Sequence, residues 1–569
     1  MINLNSEQKK VVFDYPNGVI INASPGTGKT TTLIARALHK MESLPRYQKI
    51  ALITYTNAGT DEIVDRIGNQ RDSFIGTIHS FCLEFILRPY AWIYNWGKQR
   101  VLSYDEQQTF LEQNNDIDLG STPIDELNKI NKRLDGDYIL DIEWEHEITL
   151  EELIERYTEY LEEINAISFN EILYRSYKII NENQFVVKPL ACKFYEILID
   201  EFQDTNIFQY EIFKKINRVS VTTFFMVGDE KQKILQFAGA IEDAFSNAMN
   251  DFDLPLEYLT IAYRSTTNIV NAYSSIFEEH PLINNQSCYK DLDEKLNKIE
   301  FDYKENNLEK NIKDCVDYLV NRCNIKLDEI AILSKSWHDA INVSSFLREK
   351  YNIVGVGALP HPIKNVRSST FDLLKSLAKF RMLSSMKNLK SLKRVYEQHL
   401  LEHNINFDED DKKQRFSKLI KLFREVDITL NLNDGLDELQ NIFDEYLIIE
   451  HVAFGIIKDE IKKDEMKLWT LERYLKTLSS IDGILSTTIY QSKGLEFDAV
   501  ILNQVNTGKI PHQTWNNITK RYEELTIENL EDGKKVFYVG ISRARKYLFM
   551  LHNKKPSRFL TELSEKGHI

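Results

Sequence analysis

A lysine and a threonine closing a glycine-rich turn are residue types suited to phosphate binding. This chain has them in Ala23-Ser24-Pro25-Gly26-Thr27-Gly28-Lys29-Thr30, with Thr31 next. Glycines let successive backbone N–H groups face one anion, and a helix starting near Lys29 adds its positive dipole end. In such a loop Lys29 reaches the β- and γ-phosphates and the Thr30 hydroxyl is a ligand for Mg²⁺. Ala23 stands where the general pattern has glycine. A second segment, Asp200-Glu201-Phe202-Gln203-Asp204, follows the apolar run Ile197-Leu198-Ile199. A carboxylate ending a strand is placed to hold Mg²⁺, usually through water, and its neighbour can polarise an attacking water. Asp200 is therefore expected at the metal and Glu201 at the water. Alone, the first segment reads also as a turn before a helix, and the second as an acidic loop after a core strand. Together they point to nucleotide hydrolysis.

Two arginines suit the same chemistry: Arg264, within Thr260–Thr266, and Arg543, within Tyr538–Arg545. Guanidinium groups stabilise charge on a transferring phosphoryl group. Taken singly, each reads more readily as a surface or salt-bridging residue.

The elements that must carry these residues are strands alternating with helices. Apolar runs occur at 18–22, 49–55, 195–199, 223–227, 329–334, 498–502 and 547–551. Such runs separated by amphipathic stretches predict parallel sheets covered on both faces. Residues 98–185 and 370–478 have another texture, polar, charged and helical, and read as insertions into two α/β lobes. The expected fold class is α/β: two P-loop-type lobes, each interrupted by a helical insertion.

With 569 residues, 43% of them hydrophobic and 28% charged, the chain has material for three or four domains with ordinary cores. Lysine and arginine total 71 against 86 acidic residues, a net charge of −15. That counts against wholesale electrostatic binding of nucleic acid but leaves room for a local basic groove. Five cysteines without a CxxC pair read as reduced thiols, neither a disulfide frame nor a zinc site. No membrane span or signal-peptide core is evident, so a cytoplasmic location without membrane attachment is expected.

The motif series resembles the UvrD/Rep class of superfamily 1 DNA helicases. Leu4-Asn5-Ser6-Glu7-Gln8 is similar to the Q motif, where the resemblance implies that Gln8 reads the adenine. Thr54–Asn57 and Gly76–Cys82 look like DNA-contacting segments, which implies contacts from Tyr55, Thr56, Asn57, Thr77 and His79. Asp200–Asn206 resembles motif II. Gly228–Gln232 with Phe237–Ala240 resembles motif III, implying that Gln232 senses the γ-phosphate and that Phe237 stacks on DNA. Tyr263-Arg264-Ser265 looks like motif IV, with Tyr263 stacking on the nucleotide base. Gln491–Phe497 resembles motif V, with Glu496 at the ribose, and Arg543 falls on the motif VI arginine. Departures from the pattern fall on the DNA side, at Ala58, Lys233, Leu235, Ala238, Ala262 and Tyr490.

The resemblance implies RecA-like lobes 1A (1–97 and 186–275) and 2A (276–370 and 479–569), with insertions 1B (98–185) and 2B (371–478). It also implies ATP and Mg²⁺ as cofactors, and 3′-to-5′ movement on single-stranded or 3′-tailed DNA. In size and motif order the chain further resembles the helicase-like B protein of Gabija anti-phage pairs. That alternative expects a nucleotide- and DNA-sensing subunit, weak unwinding and a nuclease partner protein.

Overall fold

Runs such as Val19-Ile20-Ile21 and Ile197-Leu198-Ile199 have no polar face to turn to water, so they form strands buried on both sides. The computed structural model describes residues 2–569 except 46, 68–72, 98, 118, 120–122, 129, 140–147, 220, 235–238, 278–282, 288, 290–296, 301–306, 352–353, 358–367, 447–454, 456–457, 459–464, 480–482 and 517–518. Two six-stranded sheets organise the described residues, every strand pairing within them parallel.

The first sheet holds β1 (Gly18–Ala23), β2 (Lys49–Thr54), β3 (Ser73–Thr77), β4 (Phe194–Ile199), β5 (Thr223–Gly228) and β6 (Leu256–Leu259), in the order β6-β1-β5-β4-β2-β3. Alternate side chains of β1 enter opposite cores. Ile20 joins Ile53, Phe81 and Phe194, whereas Val19 and Ile21 join Leu33, Leu198 and Phe225. The second sheet holds β7 (Asn297–Glu300), β8 (Ile330–Ser334), β9 (Val354–Gly357), β10 (Gly483–Thr488), β11 (Phe497–Leu502) and β12 (Ala544–His552), in the order β7-β12-β11-β8-β10-β9. Its two cores are divided in the same way, with Leu333 and Val500 on one face and Ile332 and Ile501 on the other.

The helices that position the site are α1 (Ser6–Phe13), α2 (Lys29–Glu42), α3 (Asn57–Ile67), α4 (Ile78–Cys82), α5 (Met386–Glu402) and α6 (Ile527–Ile541). Asn5 and Gln8 start α1 through a reciprocal capping box. Buried Arg36 fixes α2 over the sheet: it pairs with Glu196 of β4 at 2.7 Å and donates to the Val12 and Tyr15 carbonyls. With every partner satisfied, the pair clamps α1, α2 and β4 together.

Helices 104–113, 150–163, 171–182 and 184–193 lie between β3 and β4. This stretch is not purely helical, because Arg100–Val101 pairs with Ala166–Ile167 and Asn131–Lys132 with Tyr138–Ile139. Between β9 and β10 a helical group including α5 has its own core of Leu373, Leu392, Leu436 and Tyr474. Among the described residues no helix is long and apolar enough to cross a membrane.

Candidate functional site

The loop Ala23–Gly28 leaves the carboxyl end of β1 and turns into α2. Gly28 precedes the helix at φ 85°, and Gly26, at φ 74°, leaves no room for a side chain, since a Cβ there would lie 2.7 Å from Arg264 Cβ. The loop is braced from several sides. Thr27 Oγ1 donates to the Ser24 carbonyl at 2.8 Å, Tyr263 N donates to the Gly26 carbonyl, and Tyr273 Oη donates to the Pro25 carbonyl. Gln8 Nε2 donates to the Thr27 carbonyl at 2.9 Å while its Oε1 serves the α1 cap, so Gln8 is engaged at both ends. Asn5 Nδ2 reaches Tyr263 Oη at 2.8 Å, which brings the Gln8 and Tyr263 segments to the same side of the loop.

Thr30 and Thr31 lie in the first turn of α2, and Thr31 Oγ1 accepts from Arg66 of α3. Lys29 Nζ donates to the Ala23 carbonyl at 3.0 Å. Burial pushes its pKa down, opposed by Asp229 and Glu201 and reinforced by Arg264 and Arg543.

Asp200 and Glu201 follow β4, two strands from the loop. Glu201 takes a left-handed backbone, φ 51° and ψ 44°, a strained conformation for a non-glycine residue that typically costs about 1–3 kcal/mol. Burial and the neighbouring Glu201 raise the Asp200 carboxyl to about 7, against the pull of Lys29. Burial also pushes Glu201 upward, but Lys29, Lys493, a Gln203 hydrogen bond and Arg543 outweigh it and hold the carboxyl below its ordinary range. A hydroxyl at Thr30 and a carboxylate at Asp200 are hard oxygen donors of the kind Mg²⁺ takes, usually with waters and phosphate oxygens completing the shell.

The other wall of the cleft belongs to the second sheet. Arg543, at the end of α6, is buried; its Nη2 donates to Gln232 Oε1 at 2.9 Å, and its other nitrogens bond the Val539 and Leu495 carbonyls. Gln232 Nε2 in turn donates to Asp229 Oδ2 at 2.8 Å. Burial and then Arg264 lower the Arg543 guanidinium to about 10. Arg264 Nε contacts Glu496 Oε2 at 2.5 Å. Lys29, Asp200, Glu201, Gln232, Arg264, Arg543 and Glu496 therefore converge on one cleft from both lobes.

Sequence reasoning missed a contact across this cleft. Lys493, just before β11, is buried; its Nζ pairs with Asp204 and donates to the Gln232 carbonyl at 2.6 Å. Gln203 Nε2 links Asp204 to Glu201, and Gln203 Oε1 accepts from Asp229 N. A lysine of the second lobe thereby connects through Asp204 and Gln203 to the candidate water-polarising carboxylate. The only signal was its place in the segment Gln491–Phe497.

The expected DNA residues occupy the carboxyl ends of neighbouring strands. Tyr55, Thr56 and Asn57 follow β2, and Thr77 closes β3 with Thr54 and Thr77 in register. Tyr55 is 39% exposed, enough to offer a ring face to a base. Thr56 Oγ1 accepts from Gly59 N within the turn. Thr77 caps α4, and the His79 ring stacks on Phe169 at 4.0 Å. Asn57 Oδ1 accepts from Arg394 of α5, which also pairs with Asp61 at 2.7 Å. Phe237 lies outside the described residues, as do Leu235 and Ala238.

The profile of the UvrD/REP helicase N-terminal domain matches residues 4–253, and that of the UvrD-like helicase C-terminal domain matches residues 369–555. The chain belongs to the UvrD/Rep-like helicase family. A probable DNA helicase II homolog of Mycoplasma genitalium is 24% identical, covering 99% of this chain and 88% of that protein. The DNA helicase II of Rickettsia typhi is also 24% identical, over 100% of this chain and 96% of its own. The ATP-dependent DNA helicase Rep of Buchnera aphidicola is 22% identical, over 99% and 94%. Both sheets and both helical groups of this UvrD/Rep-like chain thus lie within the stretch shared with these relatives.

Proposed function

We propose that this protein is an ATP-dependent DNA helicase that hydrolyses ATP with Mg²⁺ and moves 3′-to-5′ on single-stranded DNA in the cytoplasm. The observation that carries this reading is the two-sided cleft, in which Arg543 of the second lobe bonds Gln232 of the first beside Lys29 and Glu201. A site completed from both lobes makes lobe apposition depend on whether a γ-phosphate is present. The strand ends of the same first sheet carry Tyr55–Asn57 and Thr77, so a change in lobe apposition reaches the DNA side directly.

In this reading Ala23–Thr31 cradle the phosphates, and Lys29 neutralises the γ-phosphate. Thr30 and Asp200 hold Mg²⁺, which supplies charge neutralisation on the phosphate oxygens. Glu201 polarises the attacking water, with Lys493, Asp204 and Gln203 setting its orientation. Gln232 senses the γ-phosphate, and Arg264 and Arg543 stabilise its developing charge. Gln8 and Tyr263 form the base pocket and Glu496 contacts the ribose. The DNA track uses Tyr55, Thr56, Asn57, Thr77, His79 and Phe237. The segments 1–97 with 186–275 and 276–370 with 479–569 act as the motor lobes, while 98–185 and 371–478 are insertions. The relatives do not favour the alternative of a sensing subunit with a nuclease partner.

The test is strand separation on tailed duplexes. With ATP and Mg²⁺ the protein should separate a 3′-tailed duplex and leave a 5′-tailed one intact. Separation of the 5′-tailed duplex alone would reverse the direction, and ATP-independent separation would remove the motor.

A further inference from the structure

One charged cluster at the rim of the cleft has no role in the assignments above. Arg545 is the second residue of β12, two residues after Arg543, and it spreads over three carboxylates. Its Nε donates to Asp498 Oδ1 at 2.8 Å, Nη1 lies 3.4 Å from Glu496 Oε1, and Nη2 pairs with Glu329. The register between β11 and β12 shifts between Phe497 and Ala499, which sets Asp498 beside Arg545. The arginine backbone is fixed as well. Thr266 N donates to its carbonyl at 3.0 Å, and Ser265 Oγ donates to the preceding Ala544 carbonyl at 2.6 Å. Arg545 is therefore tied to the segment that carries Arg264.

Glu496 is shared between two arginines. Its Oε2 meets Arg264 and its Oε1 faces Arg545, yet the side chain is 39% exposed and lies at the cleft mouth. A single exposed ion pair holds a long side chain weakly. Arg264 also has a competing acceptor when ATP is present, because a γ-phosphate carries denser charge than a carboxylate. Once Arg264 turns to it, Oε2 is free to accept from a hydroxyl. Arg545, locked by Asp498 and Glu329, is then the group that still holds Oε1.

We propose that Arg545 is the positioning residue that presents Glu496 to the ribose hydroxyls of the bound nucleotide while Arg264 exchanges Glu496 for the γ-phosphate. The proposal rests on the reading of Glu496 as the ribose contact. Arg545 touches no substrate; it fixes the acceptor that does. A guanidinium fork is required for this, since a lysine could keep one carboxylate but not all three.

Steady-state hydrolysis of ATP and of 2′,3′-dideoxy-ATP separates the two readings. The unaltered protein should have a KM for ATP lower by about tenfold than for the dideoxy compound, the worth of one hydrogen bond to a charged group. Glu496→Gln should remove most of that preference. Arg545→Met should raise the KM for ATP toward the dideoxy value, leave the dideoxy KM where it was, and affect kcat far less. Arg545→Lys keeps the charge beside Asp498 and should behave in the same way, so a lowered melting temperature in the methionine variant does not decide the matter. Full sugar preference in both Arg545 variants, with its loss in Glu496→Gln, would overturn the proposal and leave the ribose reading intact. Preference retained in Glu496→Gln would overturn both.

Discussion

Glu201→Gln is expected to lower kcat for ATP hydrolysis by about 10³-fold while changing KM little, the loss seen when a positioned general base is removed. The amide preserves the shape of the side chain and can still meet Gln203. What it loses is the charge that Lys29, Lys493 and Arg543 hold ionised. The strained backbone at Glu201 argues for the same role. A left-handed conformation outside glycine persists only where surrounding contacts enforce it, here the Gln203 bond and the short helical turn Phe202–Asp204. Single-turnover hydrolysis with excess enzyme checks this, because it separates the chemical step from product release. A variant that binds ATP normally and hydrolyses it within a few fold of the unaltered rate would show that another group activates the water.

The second large effect is expected at Arg543. Replacement by alanine should reduce kcat by about 10³-fold or more, as for the arginines that stabilise charge on a transferring phosphoryl group. Burial complicates that variant, since it takes the donor from Gln232 Oε1 and the Leu495 carbonyl, while the Val539 carbonyl keeps only the Ser542 hydroxyl. Arg543→Lys is the cleaner form. It retains a cation at the end of α6 but cannot bond the two carbonyls and Gln232 together, so kcat should still fall by about 10²-fold. Nucleotide affinity, measured by titration with a fluorescent ATP analogue, should change much less than kcat. Equal losses in affinity and turnover would assign Arg543 to ground-state binding or to holding the lobes together.

The contrast between Glu201 and Lys493 shows what the sequence could reveal. Glu201 was legible because strand, acidic pair and phosphate loop are local patterns, each with a direct physical meaning. The Lys493–Asp204 contact joins residues from different lobes, and neither its burial nor its partner has a local signature. Arg545 was hidden for a similar reason, since its carboxylates come from two distant segments, Glu329 and the Glu496–Asp498 run. His79, singled out by its segment, is half-buried, with its ring stacked on Phe169.

The strands divide along a similar line. Central strands such as β1, β4 and β5 are mostly apolar because both faces are buried, and so they stand out in the sequence. The four edge strands, β3, β6, β7 and β9, did not stand out, nor did β10 beside the edge. An edge strand needs less apolar surface, and these carry residues such as Gly76, Glu257, Lys298 and Gly355. The polar end of β10, Ser486-Thr487-Thr488, is buried and hydrogen-bonded, which removes the apolar signal without exposing the strand. Strand order is a tertiary property that no run of residues encodes.

One cleft, closed by both lobes, is proposed to couple ATP hydrolysis to DNA. The most direct measurement is the steady-state ATPase rate of the unaltered protein with Mg²⁺, without nucleic acid and with saturating single-stranded DNA. Coupling of this kind should raise the rate about tenfold or more on adding DNA, within the range of coupling between two sites on one protein. A rate that is the same with and without DNA would contradict it.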